Sequence, residues 1–433
     1  MPPVRRLLPR PAAFPRRGRA AALLLLLAAC GGDGARSGEA APPAGRTAAA
    51  ATARPAGRAV PAAADPVGGD SIVGHDSAIA FDPADTVPVP TNPGGDLRDP
   101  DAIVRALYVN RFAAQSVRKM AKLVGFADST EVNALVIDMK DEFGLNYASR
   151  DPAIARNAGT AAKVRDVRAL LDTLKAHGIM PIARLVVFKD SVAARANPDA
   201  VIRKADGSAW RDRQGLTWVN PYSPKIQAYN LKVAEELVRL GFQEIQWDYI
   251  RFPEPYRSLP AQVFPNSGGV SKPDALATFL RTARTRLNAL GVRSTADVFG
   301  LVTTIRGPLE IGQEWEKLAP AADVLLPMVY PSHYPRGAFG VARPNAEPYA
   351  IVHRAISRAR ERDRALDIAG EHVRPYLQAF TLGQPPYGAA EVREQIRAVH
   401  DAGVEGWVLW HPGSTYDPFI PALDRELRPK VGK

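Results

Sequence analysis

From about residue 101 to the C-terminal region, short apolar runs alternate with longer amphipathic segments, the pattern of βα units around a mostly parallel sheet. Eight runs read as strands: Ala106 to Phe112, Ala134 to Met139, Met180 to Phe188, Glu244 to Ile250, Arg293 to Phe299, Val324 to Tyr330, Val373 to Phe380 and Gly406 to Trp410. Between them the apolar residues fall at helical spacing. Arg165 to His177 places Val167, Leu170, Leu171 and Leu174 on one face and is followed by Gly178, the residue type that best closes a helix in a left-handed conformation. Lys225 to Leu240 before Gly241 and Ala389 to Ala402 before Gly403 repeat the phrase. Eight repeats predict a closed (β/α)8 barrel, the TIM-barrel architecture, rather than an open doubly wound sheet. No GxGxxG or phosphate-binding loop follows the first strand.

The first hundred residues follow no such rhythm. An arginine-rich opening leads into the apolar run Ala20 to Ala29, which is too short to span a bilayer as a helix but has the form of a signal-peptide core. Leu27-Ala28-Ala29-Cys30 then resembles a bacterial lipobox, which predicts a lipoprotein signal over residues 1–29 and lipidation of Cys30. The competing reading is a plain secretory signal with an incidental cysteine. Residues 30–97 are dominated by Ala, Pro and Gly and lack the large apolar side chains needed to offset ordering entropy, so they read as a disordered tether ahead of a barrel domain over 98–430. The expected location is an exported, membrane-anchored protein facing the periplasm or outer membrane.

Composition changes this picture little. The chain of 433 residues is 46% hydrophobic and 23% charged, ordinary for a protein with a sizeable core. Its formal net charge is +11, but arginines crowd the first twenty residues and no basic run with interleaved aromatics occurs in the barrel region, which argues against a nucleic-acid partner. A single cysteine excludes an intramolecular disulfide. The seven histidines show no HExxH-type spacing, so a metal site is not expected and a metal-dependent polysaccharide deacetylase is disfavoured. The absence of GxSxG argues against a serine hydrolase.

Barrel enzymes place their chemistry at the C-terminal ends of the strands, and several predicted strand ends here are polar and aromatic. The second ends in Asp138-Met139-Lys140-Asp141-Glu142, the fourth in Gln246-Trp247-Asp248-Tyr249-Ile250-Arg251-Phe252-Pro253, and the fifth in Asp297-Val298-Phe299. Tyr330, Gln378, Trp410 and His411 stand at the ends of the sixth, seventh and eighth. Carboxyl groups with aromatic platforms suit glycosidic-bond hydrolysis, in which one carboxyl protonates the leaving oxygen and a second usually acts as nucleophile or base.

At these residues the chain resembles the bacterial glycosyl hydrolase domain family long catalogued as a domain of unknown function, and the related glycosyl-hydrolase-like barrels of envelope proteins. The resemblance rests on Trp218-Val219-Asn220-Pro221-Tyr222, the helix after it and Glu244 to Pro253, with Val136 to Asp141 and Arg374 to Phe380 in support. It covers most of residues 101–420 and implies a TIM-barrel hydrolase acting on a polysaccharide or oligosaccharide without a cofactor. The expected catalytic pair is Asp248 and Asp297; Glu254 is a reserve acid. Asp138, Asp141, Trp247, Tyr249, Arg251, Tyr330, Gln378, Trp410 and His411 are expected to bind substrate. Alternatives remain at each: Asp248 could serve only a salt bridge to Arg251, Asp297 could cap the following helix, and Asp138 and Asp141 could organise their loop. A catalytically silent glycan-binding barrel is the rival function.

Overall fold

A computed structural model of the chain describes residues 102–427. The expected signal segment, Cys30 and the tether lie outside the described residues. Nine strands are present among these: β1 (Arg105–Val109), β2 (Ala134–Asp141), β3 (Gly144–Leu145), β4 (Met180–Val186), β5 (Glu244–Asp248), β6 (Arg293–Phe299), β7 (Val324–Met328), β8 (Tyr376–Gln378) and β9 (Trp407–Trp410). All but β3 pair in parallel, and the contact of β1 with both β9 and β2 closes an eight-stranded barrel with helices between the strands. Strand β3 is a short antiparallel return on β2.

Period-two alternation along the strands divides the core in two. Ala106, Tyr108, Val136, Ile182, Leu326, Tyr376 and Val408 pack together inside the barrel. Leu107, Leu135, Ile137, Ile245, Trp247 and Leu409 face outward under the helices. The helices stop where the sequence indicates: Val167–Ala176 precedes Gly178 (φ 63°), Pro224–Leu240 precedes Gly241 (φ 121°), and Ala389–Asp401 precedes Gly403 (φ 77°).

The largest departures from the predicted strand boundaries are in the first and seventh barrel strands. β1 ends at Val109 because the Asn110 side chain accepts a bond from the Ala113 backbone N–H and starts a short helix, Arg111–Ala114, which lifts Phe112 off the sheet. The seventh barrel strand reduces to Tyr376–Gln378 plus a single bridge from Val373 to Leu325; Pro375, which has no N–H to donate, interrupts it. Between β4 and β5 the chain makes a long excursion, stitched by bridges such as Val201 to Val219 and Arg211 to Thr217, that buries Trp210 and Trp218. Among the described residues, no helix is long and apolar enough to cross a membrane.

Candidate active site

Glu244, Gln246 and Asp248 share the inward parity of β5, and Arg184 on β4 lies in register with Asp138 on one side and Gln246 on the other. Arg184 is the hub. It pairs with Asp138 at 2.5 Å and holds Asp248 through Nη2 and through Nε at 3.0 Å, while Asp297 Oδ2 lies 3.7 Å from the same Nε. Three carboxyl groups from β2, β5 and β6 therefore converge on one guanidinium. The fork of donors on arginine suits this arrangement, since Nη1 meets Asp138 while Nε and Nη2 both meet Asp248 Oδ2.

A second layer surrounds them. Tyr108 donates its hydroxyl to Asp138 Oδ2 at 2.5 Å and lies 5.4 Å from the Arg184 guanidinium across its ring face. Gln246 Nε2 bonds both oxygens of Asp297, at 2.8 and 3.1 Å, and the Tyr376 hydroxyl at 2.5 Å. Burial, reinforced by the charge of Asp248, pushes the Asp297 carboxyl well above the ordinary range, so it is held toward its protonated form. Asp138 is also raised, because burial outweighs the opposing pull of Arg184. Asp297 is the more enclosed of the expected pair, at 1% exposure against 7% for Asp248.

Aromatic residues line the wall beside this centre. Trp410 stacks on Tyr108 with centroids 5.8 Å apart and meets Tyr330 at 5.6 Å and Phe380 at 5.2 Å; His333 packs against Tyr330 at 5.3 Å. Burial lowers His333 to a pKa of about 4, so it contributes a neutral ring. Gln378 accepts from the Ser332 backbone N–H at 3.1 Å and so fixes the Tyr330 loop.

The remaining expected residues divide. Tyr249 follows Asp248 directly, in a left-handed conformation (φ 50°) that is costly for a bulky residue and occurs preferentially at functional sites. Its ring packs on Trp218 and lies 4.8 Å from the Arg251 guanidinium. Arg251 pairs with Glu254 at 3.1 Å, whereas Asp248 is held by Arg184. The helix-capping alternative for Asp297 does not describe its contacts either, which run to Gln246 and Arg184. Trp247 has outward parity: it is fully buried, 5.3 Å from Phe279 on the helix Lys272–Ala289, with Nε1 donating to Ser294 Oγ at 2.9 Å. Asp141 pairs with Arg111 and accepts from the Phe143 N–H, which organises the β2–β3 turn. His411 accepts from the Gly413 and Thr415 N–H groups and packs on Tyr416 and Phe419, away from the aromatic wall.

Sequence reasoning missed Arg184, Tyr108 and Gln246 as site residues. The available signal was a lone charge within the apolar strand Met-Pro-Ile-Ala-Arg-Leu-Val, where an unpaired cation could not be buried. Among the described residues, no group of three or more His, Cys, Asp or Glu side chains is arranged to hold a metal ion.

The chain is 36% identical to a hypothetical protein from Ruminiclostridium thermocellum over 44% of its own length and 97% of that structure (TM-score 0.41). The glycoside hydrolase domain of PgaB (BpsB) from Bordetella bronchiseptica is 15% identical, with 75% of this chain and 99% of that one covered at a TM-score of 0.52, a likeness of fold. No curated protein matches the chain. Residues 106–416 match the family described as "Putative glycosyl hydrolase domain", and since they make up most of the chain and nearly all of its barrel, the protein belongs to that glycosyl hydrolase family.

Proposed function

We propose that this protein hydrolyses a glycosidic bond of a polysaccharide, with Asp248 as the carboxylate that meets the sugar and Asp297 as its protonated partner. The observation that carries the reading is the unequal environment of two carboxyl groups on neighbouring strands. Asp248 is the more open and sits against the cation of Arg184; Asp297 is enclosed and held toward the acid form. Pairs of carboxyls whose surroundings push them apart in this way divide acid and base roles in glycosidases. The part-exposed rings of Phe380 and Trp410, with buried Tyr330 packed behind them, supply apolar faces against which sugar rings can stack.

The test is reducing-end release from a panel of glycol chitin, peptidoglycan sacculi, xylan, arabinogalactan and an α-glucan, with Asp248→Asn as the control. Release that depends on Asp248 supports the reading; a folded protein inert on every member favours a glycan-binding barrel without turnover.

We further propose that the enzyme works outside the cytoplasm, tethered to a membrane through Cys30 by the 30–97 segment, as the lipobox-like Leu27-Ala28-Ala29-Cys30 suggests. Cys30→Ser should leave an unprocessed or soluble protein. A mature-sized Cys30→Ser chain that still partitions with lipid overturns this assignment.

A further inference from the structure

Apolar side chains exposed singly are ordinary on a protein surface, but contiguous exposed ones mark sites of interaction. Phe112 and Phe143 are 65% and 50% exposed, and their ring centroids lie 6.4 Å apart. Phe112 sits on the short helix at the C-terminal end of β1 and Phe143 in the turn after β2, so both stand on the rim where barrel enzymes admit substrate.

The backbone beneath them is tightly held. Asn110 donates through Nδ2 to the Pro412 carbonyl at 2.7 Å, and its N–H meets Ser414 Oγ at 2.9 Å, tying the β1 end to the β9 loop. Arg111, only 2% exposed, pairs with Asp141 and donates to the Leu145 and Ala162 carbonyls at 3.3 and 3.0 Å. Asp141 in turn accepts the Phe143 N–H at 2.9 Å, and the Arg111 guanidinium lies 5.7 Å from the Phe143 ring centroid. One buried ion pair therefore fixes the strand ends that carry both rings, and their exposure does not come from a loosely packed loop.

We propose that Phe112 and Phe143 form a saccharide-stacking subsite on the rim, outside the carboxylate centre, which engages a polymeric glycan several sugar units from the bond that is cut. The inference rests on the glycoside-hydrolase reading and adds to it that the substrate is a chain long enough to reach from Asp248 to the rim. Continuity with the site is through β2, which carries Asp138 at the centre and Asp141 beneath the platform. A saccharide is favoured over a lipid surface because the pair stands at the same strand ends as the carboxylate centre, while Lys119 is turned to the Gly413 carbonyl at 2.6 Å and Lys122 is paired with Asp417.

The test is affinity electrophoresis of the full chain in neutral detergent, through gels containing glycol chitin, peptidoglycan sacculi, xylan, arabinogalactan or α-glucan, alongside flotation with phosphatidylglycerol vesicles. Wild type should be retarded by at least one polymer. The double variant Phe112→Ala/Phe143→Ala, with an unchanged melting transition, should bind that polymer roughly tenfold more weakly, as expected for two lost stacking contacts. Retardation and reducing-end release are read separately, so an error in the catalytic assignment would show in turnover and leave this result untouched. No retardation of wild type in any gel, equal retardation of the double variant, or phenylalanine-dependent binding to the vesicles instead would each overturn the subsite.

Discussion

Asp248→Asn removes one negative charge from the cluster around Arg184 while keeping the side-chain shape, so its consequences for rate and for folding can be separated. The guanidinium loses its charge-assisted bonds to residue 248 but keeps Asp138 at 2.5 Å and gains the option of Asp297, 3.7 Å from Nε. A buried cation with no remaining partner would cost about 3–5 kcal/mol. With Asp138 in place the cost should be nearer that of one hydrogen bond to a charged group, about 1.5–3 kcal/mol. The charge of Asp248 is one of the causes that raise Asp297, so the variant should also let Asp297 ionise at lower pH. Turnover should fall about 10²- to 10⁴-fold, since an amide can neither attack nor accept a proton. The assay is reducing-end release per folded molecule on the responsive polysaccharide, with denaturant unfolding in parallel. A variant that folds and turns over at the wild-type rate would refute the reasoning. Asp297→Asn is the matched comparison: a comparable loss places its proton in the reaction, whereas near-normal turnover confines it to a structural part beside Gln246 and Arg184.

Three further outcomes are expected. Trp247→Ala should destabilise the barrel by about 3–5 kcal/mol in denaturant unfolding, because the ring is fully buried between β5 and the helix Lys272–Ala289. Trp410→Ala should raise KM roughly 2- to 10-fold with a smaller change in kcat, because the indole forms part of the stacking wall and is neither an acid nor a base toward the substrate oxygen. Burial and the charge of Asp138 outweigh Arg111 and lift Asp141 from 3.8 to about 7, so the folded state holds this proton more tightly than the unfolded chain; the associated stability is present in acid and is lost as pH rises from about 4 through 7. Wild type should therefore lose more melting temperature between pH 5 and pH 8 than Asp141→Asn, and equal slopes would contradict the assignment.

The barrel was legible because its signals are local. A buried parallel strand needs a short apolar run, a helix needs apolar residues every three or four positions, and both leave their mark in consecutive residues. The glycines after Ala176, Leu240 and Asp401 each mark a helix end through a backbone conformation that other residues resist. Boundaries failed where a side chain acted across a few residues: Asn110 capping Ala113 ended β1 early, and Pro375 broke the ladder of β8.

The site was less legible because its partners are neighbours around the barrel and not along the chain. Asp248 has Arg251 three residues away, yet the side chain that neutralises it comes from β4, 64 residues earlier; Arg251 turns instead to Glu254. Strand parity recovers part of this. On β5 it groups Glu244, Gln246 and Asp248 inside and sends Ile245 and Trp247 outside, which separates Trp247 from the site without any structure. Applied to β4, the same rule turns Arg184 inward with Ile182, beside the neutral Gln246 and the inward acids Asp138, Asp248 and Asp297. Burial of so many carboxyls requires either protons or a cation, and here both are used: Arg184 answers Asp138 and Asp248, and Asp297 keeps its proton. That division of charge makes two aspartates of the same residue type chemically different, and it is the feature on which the proposed hydrolysis depends.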